Sequence, residues 1–157
     1  MIATPATHPA SGNVDVNAKK MVLVADSSEH TRYRLARIFQ KAGYRVAVAG
    51  DADEAAATAA VLSVDLLVTD IDLPGVVANG IRGGAALLQT MQQQADQAGR
   101  GRRVAGVALA AKNSARAADA TTVQGFDACL SKPASEADLK AAVIRALATP
   151  DESRRCA

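Results

Sequence analysis

The chain has 157 residues, the length of one ordinary domain, and 49% of them are apolar, enough to build a core. Its 18 Lys+Arg against 16 Asp+Glu leave a formal charge of +2, too balanced to point to nucleic acid as a partner. No stretch is long enough to span a bilayer, and the opening residues lack the basic start and apolar run of a signal peptide.

Residues 1–18 are rich in Ala, Thr, Pro, Ser, Gly and Asn and read as a disordered tail. Lys20–Ala25 is a continuous apolar run that suits a buried parallel strand ending at Asp26. Ser28 then caps a helix with Leu35, Ile38, Phe39 and Ala42 at three-to-four spacing, stopped by Gly43. Tyr44–Ala49 is a second strand, and Asp51 caps an Ala-rich helix to about Leu62. Asp65–Thr69 is a third strand, ending at Asp70.

A glycine-rich loop follows, with Pro74, Gly75, Asn79, Gly80, Gly83 and Gly84. Ala85–Ala98 reads as a helix with Leu87, Leu88, Met91 and Ala95 on one face. Arg100, Arg102 and Arg103 form the one contiguous basic knot, read as a solvated loop. Val104–Ala110 is a fourth strand, Asn113–Gln124 a weaker helix and Phe126–Leu130 a fifth strand. Ser135 caps a last helix carrying Leu139, Val143 and Leu147, and Thr149–Ala157 is a second short tail. The domain therefore spans residues 19–148.

With no Trp, two Phe and two Tyr, the core must consist of small aliphatic side chains packed between layers. Cys129 lies in an apolar run and Cys156 in a polar tail. Neither suggests a disulfide framework, so a reducing, cytoplasmic setting is expected. Apolar strands alternating with amphipathic helices predict an α/β fold, a parallel sheet covered on both faces.

In such a sheet the site lies beyond the carboxyl ends of the strands. Strand one leads into Asp26, strand three into Asp70 and strand five into Lys132, so two carboxylates and one lysine are expected on one edge. Each alone is an ordinary cap or surface residue. Together they suit phosphoryl transfer to a carboxylate. The nucleophile must be ionised and exposed on a rigid element, and positive charge must meet the incoming group. A divalent cation held by oxygen ligands supplies part of that charge and an ammonium the rest.

Three segments carry a resemblance to the response-regulator receiver family of two-component signalling: 21–26 (MVLVAD), 65–75 (DLLVTDIDLPG) and 125–133 (GFDACLSKP). It covers about residues 20–148 and implies a flavodoxin-like (βα)5 doubly wound sheet in the order 2-1-3-4-5. The resemblance also implies that Asp70 accepts the phosphoryl group and Lys132 contacts it. Mg²⁺ would be held by Asp26, Asp70 and the backbone carbonyl of Asp72. The Lys132–Pro133 peptide is often cis in this family. The implied partners are a histidine kinase or histidine phosphotransfer protein and a downstream protein target, with no direct nucleic acid and no membrane. Output in the family usually comes from the face made by the fourth helix, fifth strand and fifth helix. The loop residues Val76, Val77 and Ile81 offer a second candidate surface.

The chain departs from the pattern at three places. Ser27 replaces the second acid after strand one, Ala110 the Thr or Ser that ends strand four, and Cys129 the aromatic of strand five. A phosphorylation-independent binding module is therefore the alternative. An Asp-x-Asp phosphatase, suggested by Asp70 and Asp72, is a weaker one, because that motif belongs on a first strand beside a downstream acidic pair. His8 lies in the tail and His30 on a solvated helix face, which leaves no Cys–His nucleophile and no zinc spacing. A glycine-rich phosphate turn after strand one is also absent.

Overall fold

The computed structural model describes residues 20–75, 83–111 and 125–149. Met21–Ala25 (β1) and Leu66–Asp70 (β3) form the middle of a five-stranded parallel sheet. β1 is buried at all five positions, as expected of a strand covered on both faces. Arg45–Ala49 (β2), Ala105–Ala111 (β4) and Ala128–Lys132 (β5) complete the order β2-β1-β3-β4-β5. This is the doubly wound, flavodoxin-like order expected from the sequence. The register sets Ala25 beside Thr69, Asp70 beside Leu109 and Ala111 beside Lys132, so the ends of all the central strands open on one edge.

The helices are Glu29–Lys41 (α1), Ala52–Val61 (α2), Gly84–Gln97 (α3) and Glu136–Ala148 (α4). Three start where a side-chain oxygen satisfies an otherwise orphaned backbone donor. Ser28 accepts from the Thr31 N–H, Asp51 from the Glu54 N–H, and Ser135 from the Asp138 N–H. α1 stops at Gly43, whose φ of 98° is open to glycine without strain. α3 starts without a side-chain cap, at Gly83.

Alternate residues of each strand feed two cores on opposite faces of the sheet. Leu23 and Leu67 pack with Leu87 and Met91 of α3 and the alanines of α2. Val22, Val24, Leu66 and Val68 pack with Leu35 and Phe39 of α1 and Leu139 and Val143 of α4. Large apolar residues sit on α1, α3 and α4, while the buried residues of α2 are the alanines Ala52, Ala55 and Ala59.

Two expectations change. β5 begins at Ala128 and runs through Lys132, two residues later than the apolar run Phe126–Leu130 suggests. Phe126 instead packs beside Gly106, where a Cβ would lie 2.8 Å from its ring. The Arg100–Arg103 knot is only partly a solvated loop, since Arg102 stays 66% exposed while its neighbours are tied down. Arg100 donates to the Leu62 carbonyl at 3.2 Å, Arg102 pairs with Asp65 at 3.6 Å, and Arg103 is buried against Asp127. The predicted helix 113–124, the loop residues Val76, Val77, Asn79, Gly80 and Ile81, Cys156, the first tail and the second tail after Thr149 lie outside the described residues. Among the described residues no helix is long and apolar enough to cross a membrane.

Candidate functional site

Asp26 and Asp70 follow the same local rule. Each stands at the end of a central strand, and each turns one carboxylate oxygen back to the N–H two residues on, an Asx-type turn. Asp26 Oδ1 accepts from Ser28 at 2.8 Å and Asp70 Oδ1 accepts from Asp72 at 3.0 Å. These bonds fix both side chains and leave Oδ2 of each to face the space between them. Asp26 is buried at 1% exposure, whereas the Asp70 side chain keeps 15% and reaches solvent.

Lys132 closes the cluster. Its Nζ donates to Asp26 Oδ2 at 2.9 Å and to Asp70 Oδ2 at 3.1 Å. To do so the side chain passes over the end of β4, since β5 and β3 lie two strand spacings apart, about 10 Å. Ala110 and Ala111 end β4 there. The Lys132–Pro133 peptide is cis. Burial pulls the Lys132 ammonium down, but hydrogen bonds to Asp26 and Asp70 and the charges of both carboxylates outweigh it, and its pKa is raised.

The surrounding loops are anchored to the same edge. Arg32 of α1 donates to the Asp26 carbonyl at 2.7 Å. Nothing in the sequence pattern singled it out, although its place one turn into the helix after β1 is the available signal. The Ile71 N–H donates to the Leu109 carbonyl and the Gly84 N–H to the Ile71 carbonyl. A Cβ on Gly84 would lie 2.7 Å from the Asp70 carbonyl oxygen, so only glycine lets α3 start against the end of β3. The Ala52 N–H donates to the Pro74 carbonyl at 2.8 Å, which ties the loop after Asp70 to the start of α2.

Asp72 is exposed, and its backbone rather than its carboxylate touches Asp70. Ser27 is exposed, Ala110 is fully buried, and Cys129 is half-buried with its thiol pushed up by that burial. Among the described residues no group of three or more His, Cys, Asp and Glu side chains gathers closely enough to hold a metal alone. The donor set still fits a hard cation that retains waters. Two carboxylates share one ammonium, so acid is in surplus, and Mg²⁺ binds commonly through one or two carboxylates plus waters.

Residues 22–144 match the family described as the response regulator receiver domain. The chain belongs to that family. Solved structures agree on the fold. The Vibrio cholerae chemotaxis protein CheY4 is 23% identical, with a TM-score of 0.67 over 82% of this chain and 98% of that one. The signal receiver domain of an HD domain-containing protein from Pseudomonas fluorescens Pf-5 is 24% identical, with a TM-score of 0.67 over 88% and 99%. A CheY-like receiver domain protein from Methanospirillum hungatei JF-1 is 22% identical, with a TM-score of 0.64 over 88% and 98%. No curated protein matches the chain significantly. A receiver is a two-component signalling domain, and Asp26, Asp70 and Lys132 occupy the edge where its fold places a site.

Proposed function

We propose that this receiver takes a phosphoryl group on Asp70 from a histidine kinase or histidine phosphotransfer protein in the cytoplasm and signals through protein contacts. The observation that carries the reading is the Lys132 ammonium shared between the buried Asp26 and the solvent-reaching Asp70. An Asp70 carboxylate oxygen attacks phosphorus, the bond from phosphorus to the donor's imidazole nitrogen breaks, and that nitrogen keeps the electron pair. The product is an acyl phosphate on Asp70.

Lys132 is already at Asp70, so its charge is in place as negative charge accumulates. Asp26 holds the ammonium from the buried side. Asp26, Asp70 and the Asp72 carbonyl are the groups that would hold Mg²⁺, which supplies further positive charge to the phosphoryl oxygens. Ser27 lowers the number of acids available to that ion.

Incubation with acetyl phosphate and Mg²⁺, read by intact-protein mass, is expected to add one phosphoryl group. Asp70→Asn is expected to abolish the addition, and Lys132→Met to slow it. A chain that takes no phosphoryl group from acetyl phosphate or from a phosphorylated histidine donor overturns the reading and is a binding module only.

A further inference from the structure

Asp26 is held from every side. Its N–H donates to the Ala49 carbonyl at 3.1 Å, its Oδ1 accepts from the Ser28 N–H at 2.8 Å, and its Oδ2 accepts from Lys132 at 2.9 Å. Its carbonyl accepts from Arg32 Nη1 at 2.7 Å, the shortest of these bonds. That carbonyl belongs to the peptide leading into Ser27, so Arg32 fixes the chain just where β1 gives way to the loop. A hydrogen bond from a guanidinium is charge-assisted and about twice as strong as a neutral one.

Arg32 reaches the carbonyl through a shaped seat. It stands in the first turn of α1, where its own N–H donates to the Ser28 carbonyl at 2.9 Å. The half-buried side chain passes against Gly50, directly after β2. A Cβ on Gly50 would lie 3.1 Å from Arg32 Nη1, inside ordinary contact distance, and 3.6 Å from Glu54 Oε2. Glu54 Oε2 accepts the Gly50 N–H at 2.9 Å, which holds the turn in this form. Two residues on, the Ala52 N–H donates to the Pro74 carbonyl in the loop after Asp70. Arg32 thus packs between the end of β1, which carries Asp26, and a turn that is tied to the loop after Asp70.

We propose that Arg32 is a positioning residue for phosphoryl transfer to Asp70: it locks the Asp26 peptide and so keeps the Asp26 carboxylate on Lys132. The inference rests on the reading of Asp70 given above. Ser27 gives it weight in this chain, because Asp26 is the one acid directly after β1 and no neighbour replaces it if its peptide turns. A misplacement of about 1 Å at a reacting cluster can cost about 10²-fold in rate.

The first arm of the test is a double-mutant cycle of Arg32→Met and Lys132→Met in the full chain, read by urea unfolding. Losing either bond to Asp26 weakens the other, so the double variant is expected to lose less stability than the two single variants together. Two cations acting on Asp26 by charge alone repel each other, and removing both would cost the sum of the single losses or more. The second arm follows phosphoryl addition from acetyl phosphate and Mg²⁺ by intact-protein mass. Arg32→Met is expected to slow it about tenfold or more. Arg32→Lys, which keeps a cationic donor without the planar fork, is expected to recover part of that rate. Stability losses that reach or exceed the sum, or equal rates in the native chain, Arg32→Met and Arg32→Lys, would each overturn the proposal. A native chain that takes no phosphoryl group overturns the reading of Asp70 instead, and the cycle still decides whether Arg32 positions Asp26.

Discussion

The two ends of the sheet both bury a carboxylate against a cation, and they differ in exposure. At the amino end Arg103 pairs with Asp127, with side chains 9% and 8% exposed. Asp127 also accepts the Gly106 N–H at 2.9 Å, so the pair ties β4 to the start of β5. At the carboxyl end one lysine, 29% exposed, serves two aspartates. A closed, buried pair holds strands in register. An open cluster with a surplus acid retains capacity for another cation and for chemistry at its exposed member.

The largest effect should come from breaking the buried pair. Arg103→Ala removes the cation from a buried ion pair, and breaking such a pair typically costs about 3–5 kcal/mol. Urea unfolding should show that loss, while the folded fraction still accepts a phosphoryl group on Asp70. A cost near zero would mean that the amino-end pair does not hold the strands.

Ala110→Ser probes the open end. The new hydroxyl enters a site with 0% exposure. Without a partner it should lower the stability of the unmodified protein by about 1–3 kcal/mol. With a phosphate mimic such as beryllium fluoride at Asp70, the same hydroxyl gains a charged acceptor worth about 1.5–3 kcal/mol, about tenfold or more in affinity. Titration calorimetry separates the two effects, and an unchanged affinity would show that Ala110 does not face the phosphoryl position.

Asp70→Asn should do the opposite of Arg103→Ala. Asparagine keeps Oδ1 for the Asp72 N–H and removes one of two acids competing for Lys132. Stability should therefore move by about 1 kcal/mol or less, although phosphorylation is lost. A loss as large as that of Arg103→Ala would make Asp70 a structural residue rather than a spare acid.

What the sequence makes legible here is what local chemistry decides. Ser28, Asp51 and Ser135 cap helices because a short polar side chain meets an orphan N–H three residues on. The alternation of runs sets the sheet, and the strand ends bring Asp26, Asp70 and Lys132 to one edge. The Arg103–Asp127 pair is not legible, because residues 24 apart meet only through the register of β4 and β5. The shift of β5 to Ala128–Lys132 has a similar cause, since Phe126 is apolar for a core contact and not for the strand.

The smallest effects are in pH dependence, and they compare the two ends directly. Lys132 has its pKa raised above the ordinary 10.5 in the folded state. Its contribution to stability is therefore fully present below that value and is lost as pH rises through the raised one. Asp127 is raised from 3.8, by burial against the opposing Gly106 N–H and Arg103. Its contribution has the same sign in a different window: it is present below 3.8 and lost as pH rises through its raised value. Tyr44 is also raised by burial, but it is common to all variants and cancels in differences. The stability gap between the native chain and Lys132→Met should thus shrink only above pH 10.5, and that between the native chain and Asp127→Asn should change only in the acid range. Denaturant midpoints measured across pH distinguish the windows. A Lys132→Met gap that stays constant through alkaline pH would mean that packing of the lysine stem, not its charge, links Asp26 to Asp70.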